Sequence, residues 1–354
     1  MRIVDLGLIE PGMRLARTVH SPDGGVLLSA GVTLQGSYLN KLKEYGHTAV
    51  FISDGVADDI ELPTIVQQET RMEAVQVVHR VMAQIPQERM PDLRAVRRAV
   101  ESLVDEIMAA KDLIIGMIDL KSLDGYTFAH SVNVAILSLM VGRAQGYSRS
   151  QLLELGTGAL LHDIGKCMVP QEILQKPGEL NAEEFQAIKK HTELGFNTLR
   201  TQFGVGLLVA HVAFQHHERL DGTGYPRGLR GQDIIEYARL VAVADVYDAV
   251  TSDRVYRGRI TPEAGVRILH EQADSKLEEQ FVRRLTSFVV PYPPATVVRL
   301  SDHSVALVVS VNAGDFYRPQ VRLMRDPQGQ RVSHTPLLVD LAHSDLTIIG
   351  PAKL

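Results

Sequence analysis

Hydrophobic and polar positions divide the chain into a short mixed start, a long helical middle and a strand-rich end. Before about residue 54, short apolar runs lie between turn residues, which is the pattern of strands joined by tight turns. Val26–Leu28 follows the turn at 22–25 and predicts a hairpin, residues 49–52 predict a further strand, and residues 39–45 predict a short helix. We therefore expect residues 1–54 to form a small α/β or β module.

Helical periodicity begins after a polar, proline-containing stretch. Val75 and Val78 lie on one face of the predicted helix, and Pro86 and Pro91 divide the pattern into two helices. We expect residues 55–110 to form a helical linker.

Residues 111–290 have the pattern of a helix bundle. The segments 132–141 and 240–250 are almost wholly apolar, as in buried helices. Asn181, which is followed by acidic residues, predicts the start of another helix, and we expect that helix to carry His191.

Runs typical of strands at 296–300 and 306–309 predict a C-terminal β-hairpin extension over residues 291–354, and two or three more short strands are expected after them. The predicted fold class is therefore mainly α. A helical-bundle catalytic domain would lie between a small N-terminal module and this β extension.

Composition narrows the classes of function. Of 354 residues, 45% are hydrophobic and 22% are charged, which is ordinary for a globular protein. The formal net charge of −5 provides no general basic surface for duplex nucleic acid or an anionic membrane. No apolar run reaches the ~20 residues of a membrane span, and the start lacks a signal-peptide pattern. The single Cys167 cannot form an intrachain disulfide, and we expect a cytoplasmic protein.

Potential metal ligands recur through the middle of the chain. All are imidazoles or carboxylates, with no thiolate among them, and this donor set suits divalent cations. Seven donors are too many for one ion, but they suit two ions that share a carboxylate, as in hydrolases of phosphate esters. The candidate metal ligands are His130, His162, Asp163, His191, His216, His217 and Asp245.

The remaining histidines of the chain are interpreted as structural, because an isolated histidine is usually a satisfied core or surface residue. His216 and His217 are neighbours, so on a regular helix their side chains would point about 100° apart. Both can face one cluster if they lie at a helix end. The glycine-rich stretch 221–224 just beyond them supports a chain turn there, where a bulky anionic substrate could approach the backbone closely.

Residues 162–166 (HDIGK) and 217–226 (HERLDGTGYP) together resemble the HD-GYP family, a branch of the HD-domain phosphohydrolases. The similarity extends from about residue 111 to 270, roughly half the chain, and residues 8–52 resemble a small module often fused ahead of this domain. The resemblance implies an HD-type helical bundle. It also implies hydrolysis of cyclic di-GMP to pGpG, and in some members to GMP, by a hydroxide held between two metals.

The resemblance also implies a division of the ligands between two ions. His130, His162, Asp163 and Asp245 would hold one metal, and Asp163 would bridge to the second. The second would be held by Asp163, His191, His216 and His217. Iron or manganese suits these donors best, and zinc is compatible with the ligand types.

Substrate contacts follow from the same resemblance. Lys166 would act with Asp163 in catalysis and contact the scissile phosphate, and Arg254 and Arg257 would bind phosphates or the guanine base. Gly224 and Tyr225 would shape the pocket. Asp221, Asp248 and Asp253 are interpreted as residues that order ligands or loops.

The number of metals depends on one position. Some family members bind a third metal through a glutamate four residues before the first histidine, where this chain has Tyr126. A phenol is a poor ligand for such a site, so we expect two metals, and the extent of the second hydrolysis step stays open.

Two alternatives remain. The same site could hydrolyse another cyclic or linear dinucleotide, although the intact 224–226 stretch favours cyclic di-GMP. The chain could instead be a weakly active metal- and nucleotide-binding module that signals to a partner through its N-terminal module. A homodimer is equally compatible with the sequence, whereas binding to duplex nucleic acid or to membranes is not expected.

Overall fold

The computed structural model describes most of the chain. The described residues are 1–21, 25–45, 47, 49–60, 64–87, 91–111, 113, 127–176, 178–203, 205–251, 262–312, 314–332 and 337–352. The α-helices among them are α1 (Gly36–Glu44), α2 (Gln68–Gln84), α3 (Leu93–Ala109), α4 (Thr127–Ala144), α5 (Arg149–Leu160), α6 (Gln171–Leu174), α7 (Ala182–Lys189), α8 (His191–Thr198), α9 (Leu207–Gln215), α10 (Glu236–Thr251), α11 (Pro262–Gln272) and α12 (Glu279–Thr286).

The strands form three antiparallel groups. A three-stranded sheet has the order β1-β5-β2, β3 pairs with β4, and a five-stranded sheet has the order β10-β6-β7-β8-β9. The strands are β1 (Arg2–Asp5), β2 (Arg14–Leu15), β3 (Val19–His20), β4 (Val26–Leu28), β5 (Ala49–Ser53), β6 (Val297–Leu300), β7 (Val305–Asn312), β8 (Asp315–Arg325), β9 (Leu338–Asp340) and β10 (Ile348–Pro351).

Local sequence sets where several helices begin. Asp92 accepts hydrogen bonds from the backbone N–H groups of Arg94 and Ala95 at the start of α3. Ser148 and Gln151 form a capping box at the start of α5. These caps satisfy N–H groups that have no partner inside the helix.

One large hydrophobic core joins the middle helices. Val100 and Leu103 of α3 belong to the same buried cluster as Ile136 and Leu139 of α4. A Cβ added at Gly156 of α5 would lie 3.0 Å from Val100 and 3.1 Å from Leu139, so this glycine allows the three helices to pack closely. The segment interpreted as a linker therefore supplies two helices to the bundle core.

The mainly α fold with β-rich ends is confirmed. The C-terminal extension is a five-stranded sheet in which the two predicted strands are β6 and β7. Three further strands, β8 to β10, follow them, in agreement with the two or three that were expected. Within the described residues, no helix combines the length and apolar character needed to cross a membrane.

One helix expectation was wrong. Asn181 does cap a helix, with Glu184 completing a capping box, but α7 ends at Lys189. His191 is instead the first residue of α8. Lys190 forms a turn between the two helices, and periodicity alone does not reveal an interruption of one residue.

Candidate metal centre

The predicted ligands lie mostly at helix ends that converge on one place. His162 and Asp163 follow α5, His191 begins α8, and His216 and His217 follow α9. The other two, His130 and Asp245, lie within α4 and α10. Adjacent histidines can face one cluster at a helix end, because the rotation of about 100° between neighbouring side chains applies only within the helix.

The structure brings all seven side chains together in two groups. Within each group the potential ligand atoms lie within 4.8 Å of one another. The groups are Asp163, His191, His216 and His217, and His130, His162 and Asp245.

Asp163 lies between the two groups and is 1% exposed. Its Oδ2 lies 3.4 Å from Nε2 of His162 and 3.8 Å from Nε2 of His130. Its Oδ1 faces the other way, 3.4 Å from Nε2 of His191 and 3.8 Å from Nε2 of His216. One oxygen of the carboxylate is therefore directed at each group.

Three of the imidazoles are oriented in the same way. In each, Nδ1 lies within hydrogen-bond distance of the main-chain carbonyl oxygen three residues earlier. The distances are 2.7 Å from His162 to Ala159, 2.6 Å from His191 to Ile188 and 3.0 Å from His216 to Ala213. Since a carbonyl only accepts, Nδ1 carries the proton, and the Nε2 lone pair is left free for a cation.

Carboxylates orient His130. Its Nδ1 lies 2.7 Å from Oδ2 of Asp248, and its Nε2 lies 3.1 Å from Oδ1 of Asp245. Asn133 donates a hydrogen bond of 3.0 Å to the other oxygen of Asp248. Burial alone would lower the pKa of His130, but the hydrogen bonds and charges of Asp245 and Asp248 raise it to about 10.

Other histidines of the cluster are held neutral. Burial lowers the pKa values of His191 and His216, and it lowers that of His217 to about 3. Neutral imidazole is the form that binds a metal.

The two carboxyl groups are held ionised. Burial alone would raise the pKa of Asp163, but Lys166 and His162 hold it well below its usual range. Burial opposes ionisation of Asp245 as well, yet its hydrogen bond with His130 keeps that pKa well below its ordinary value. The cluster thus presents anionic oxygens beside neutral nitrogens.

Two buried atoms test whether divalent cations fit this cluster. Nε2 of His162 and Oδ1 of Asp163 are buried and have no hydrogen-bond partner. Leaving such groups unsatisfied costs about 1–3 kcal/mol each. Two cations would offset that cost, one coordinated by Nε2 of His162 and the other by Oδ1 of Asp163 on the opposite side of the carboxylate. The donor chemistry and the unpaired atoms therefore fit divalent metal ions.

Lys166 lies at the edge of the cluster, in a short 3-10 helix over Ile164–Met168. Its Nζ is 2.5 Å from Oδ2 of Asp163, and its side chain is 25% exposed. The ammonium group can therefore reach both the buried carboxylate and a ligand that enters from solvent.

Two glycines allow the backbone to pack tightly around the site. A Cβ at Gly165 would lie 1.9 Å from the carbonyl oxygen of His191, so only glycine lets the segment after Asp163 lie against α8. A Cβ at Gly224 would lie 2.4 Å from the backbone of Glu218 and Arg219. Gly224 thus folds the glycine-rich loop back onto the residues that follow His217.

Glu218, for which the sequence predicted no role, holds the same loop. The residue is 2% exposed, and its two carboxylate oxygens accept hydrogen bonds from the backbone N–H groups of Arg227 and Leu229 at 2.8 and 2.9 Å. Its position directly after His216 and His217 was the available signal. Its burial depends on the folded loop.

The structure describes some of the other residues predicted to line the pocket, among them Tyr225 and Asp221. The ring of Tyr225 packs on that of His217, with centroids 4.7 Å apart, and a cis peptide bond joins Tyr225 to Pro226. Asp221 accepts hydrogen bonds from the backbone N–H and the hydroxyl of Thr223, which orders the loop. The predictions for Arg254, Arg257, Asp253 and Tyr126 lie outside the described residues.

Comparison with protein families identifies two segments. Residues 112–280 match the family described as HD domain. Residues 297–352, which contain all of the five-stranded sheet, match the family described as KOW domain associated with HD domain.

Known proteins are similar in sequence to large parts of this chain. A cyclic di-GMP phosphodiesterase of Pseudomonas aeruginosa is 35% identical over 254 residues, 70% of this chain and 61% of that protein. A 3'3'-cGAMP-specific phosphodiesterase of Vibrio cholerae is 40% identical over 178 residues, 50% of this chain and 41% of that protein. The chain therefore spans less than two thirds of the length of either relative.

A solved structure shares the fold. Bd1817, a HDG"Y"P protein from Bdellovibrio bacteriovorus, matches with a TM-score of 0.53 at 19% sequence identity. The match covers 80% of this chain and 97% of that one.

Proposed function

This chain belongs to the HD-domain family, in its HD-GYP branch, and on that premise we propose that it hydrolyses cyclic di-GMP to linear pGpG. The observation that carries the proposal is the position of Asp163 between two groups of metal donors. Its two oxygens face different groups, which is the geometry needed to share one carboxylate between two cations.

The proposed cofactor is a pair of divalent ions, with iron or manganese preferred for this donor set and zinc compatible with it. His130, His162, Asp163 and Asp245 would hold one ion. Asp163, His191, His216 and His217 would hold the other. Bound there, such ions neutralise charge on a phosphate and lower the pKa of a bound water towards neutrality.

Other side chains of the site would stabilise charge and bind the substrate. Asp163 stays ionised because Lys166 and the neighbouring histidines offset the effect of its burial. The Lys166 ammonium lies at the exposed edge of the cluster, where it can stabilise negative charge on the phosphoryl oxygens as the bond breaks. Gly224 and Tyr225 would bound the space next to His217, and Arg254 and Arg257 are proposed as further substrate ligands.

The first test is Asp163→Asn. A neutral amide cannot serve two cations, so we expect loss of bound metal and at least a hundredfold loss of pGpG formation together. Metal content by mass spectrometry and product by chromatography would be measured on the same samples. Asp105→Asn on α3 is the matched control, because its carboxylate is exposed and pairs only with Arg149 among the described residues. A fully metallated, active Asp163→Asn protein would contradict the proposal.

A second candidate substrate is 3'3'-cGAMP, because the Vibrio cholerae relative is named for that specificity. Parallel turnover of cyclic di-GMP and 3'3'-cGAMP at equal concentration distinguishes the two. We expect a higher kcat/KM for cyclic di-GMP. Tight nucleotide binding without turnover of either compound would instead favour the signalling-module alternative.

A further inference from the structure

An exposed aromatic side chain lies beside the glycine-rich loop. Phe185 of α7 is 44% exposed, although large aromatic side chains are usually well covered in folded proteins. Its ring centroid lies 6.3 Å from that of Tyr225, and the two planes meet at 77°. Phe185 therefore forms one wall of a surface that begins at Tyr225.

This surface is continuous with the metal centre. The ring of Tyr225 lies 4.7 Å from that of His217 at an interplanar angle of 32°, and 6.4 Å from that of His191. Both histidines belong to the same group of metal donors. A ligand whose phosphate is held at the metals can thus place a neighbouring group against Phe185.

The ammonium group of Lys189 lies over the same two aromatic rings. Nζ of Lys189, one turn after Phe185 on α7, lies 4.6 Å from the ring centroid of Phe185 and 5.1 Å from that of Tyr225. In the part of the chain that the structure describes, no carboxylate forms an ion pair with Lys189. Its charge is therefore held in place by the two rings and remains available to an acceptor on a ligand.

We propose that Phe185, Lys189 and Tyr225 form a nucleobase subsite that prefers guanine. This inference rests on the proposed function, since the base would belong to the nucleotide whose phosphate occupies the metal centre. A flat exposed ring offers stacking to any base. Lys189 would favour guanine over adenine. Guanine presents two acceptors, O6 and N7, on one edge, whereas adenine has a donor amino group in place of O6.

The stacking part is tested with two probes that differ only by the base. GMP and ribose 5-phosphate share the phosphate and sugar. On the manganese-loaded full chain, the dissociation constant of ribose 5-phosphate divided by that of GMP therefore isolates the contribution of the base. We expect Phe185→Ala to reduce this ratio by about tenfold. Phe185→Tyr, which keeps an aromatic face, should leave the ratio within about twofold of wild type.

Leu208→Ala is the matched control for loss of an exposed apolar side chain. Leu208 is 48% exposed and lies near the start of α9, at the opposite end of that helix from His216. This variant should change neither dissociation constant. An unchanged ratio in Phe185→Ala, or a wild-type protein that binds both probes equally, would overturn the subsite.

The guanine preference is tested with Lys189→Met, which keeps the length of the side chain and removes its charge. We expect the preference for GMP over AMP to fall by about fivefold or more, and Lys189→Arg should retain it. An unaltered preference in Lys189→Met would show that this residue does not select the base.

Turnover separates failure of the subsite from failure of the proposed function. If wild-type protein hydrolyses cyclic di-GMP and Phe185→Ala raises KM by about tenfold with kcat nearly unchanged, the proposed function and the nucleobase subsite are both supported. If cyclic di-GMP is not hydrolysed but the ratio of probe affinities depends on Phe185, the proposed function fails and the subsite stands. If hydrolysis proceeds and Phe185→Ala alters neither KM nor the ratio, only the subsite fails.

Discussion

A short chain of buried polar side chains positions His130. Asn133 and Asp248 are 3% and 4% exposed, and Asp248 accepts hydrogen bonds from both His130 and Asn133. Burying the Asp248 charge is tolerated because it has these partners. Groups that orient a metal-binding histidine in this way affect metal affinity although they do not touch the metal.

Replacing Asp248 should therefore weaken metal binding without removing a proposed ligand. We expect Asp248→Asn to reduce manganese affinity by about 10–100-fold, because an amide supports the His130 imidazole less well than a carboxylate does. Competition with a fluorescent chelator provides the measurement. The exposed Asp105→Asn should bind manganese like wild type, and an Asp248→Asn protein with unchanged affinity would show that the contact has no such role.

The candidate ligands could be predicted because the identity of a histidine or an aspartate already shows that its side chain can bind a metal. Asn133 and Glu218 could not be identified in the same way. Amides and carboxylates are common on surfaces, and only the folded structure shows that these two are buried and paired. Spacing along the chain does not reveal burial at a loop that closes through tertiary contacts.

Helix placement around the site depends on close backbone contact. A Cβ at Gly165 would lie 1.9 Å from the carbonyl oxygen of His191 and 2.6 Å from the backbone nitrogen of Gly195. Neither neighbour is a flexible side chain, so a larger residue must displace α8 from the segment that carries Asp163. The first residue of α8 is a proposed metal ligand, so this displacement would alter the centre directly.

Gly165→Ala should lower both stability and metal affinity. Overpacking of this kind costs about 1–3 kcal/mol of unfolding free energy, and we expect manganese affinity to fall with it. Urea unfolding and metal titration of the same protein are the measurements. Gly36→Ala at the start of α1 is the control, since a Cβ there meets nothing within 4 Å. Wild-type values for Gly165→Ala would contradict the described packing.

Several helices were predictable to within a few residues because their signals are local. The apolar segment 132–141 lies inside α4, and the capping residue Asn181 does begin a helix. The separation of α7 from α8 was not predictable, because the interruption is a single residue, Lys190, that leaves the helical pattern almost unchanged.

The segment after the N-terminal module contacts the C-terminal sheet. Ala57 and Ile60 pack against Ala295 and Leu307 of the C-terminal region, and Arg322 donates hydrogen bonds to the carboxylate of Asp59. The segment after the N-terminal module is thus fixed to the five-stranded sheet. No local pattern predicts contacts between residues so far apart in sequence, so the domain arrangement was the least predictable part of the fold.

The buried histidines make the stability of the metal-free protein depend on pH. His217 has a pKa of about 3 in the folded chain because of burial, against about 6.5 when unfolded. Between these values the unfolded chain binds a proton that the folded chain does not, so the free energy of unfolding falls as pH decreases from about 6.5. His130 has the opposite effect. Its contribution to the free energy of unfolding is fully present below about pH 6.5 and is lost as the pH rises towards its folded pKa of about 10.

We therefore expect the metal-free protein to lose stability on acidification below about pH 6.5, by up to about 1.4 kcal/mol per pH unit for each such histidine. Urea unfolding at several pH values gives this slope. His217→Gln should reduce the slope, whereas His343→Gln should not, because His343 is exposed. An equal slope in wild type and His217→Gln would contradict the assigned state of His217.

The most direct test of the account is the position and number of metal ions in the protein. Crystals of chain reconstituted anaerobically with iron or manganese, without chelators, would be measured by anomalous scattering. We predict two peaks, one in each donor group, with a different oxygen of Asp163 directed at each. A single peak, no peak at full reconstitution, or ions bound away from these side chains would contradict it.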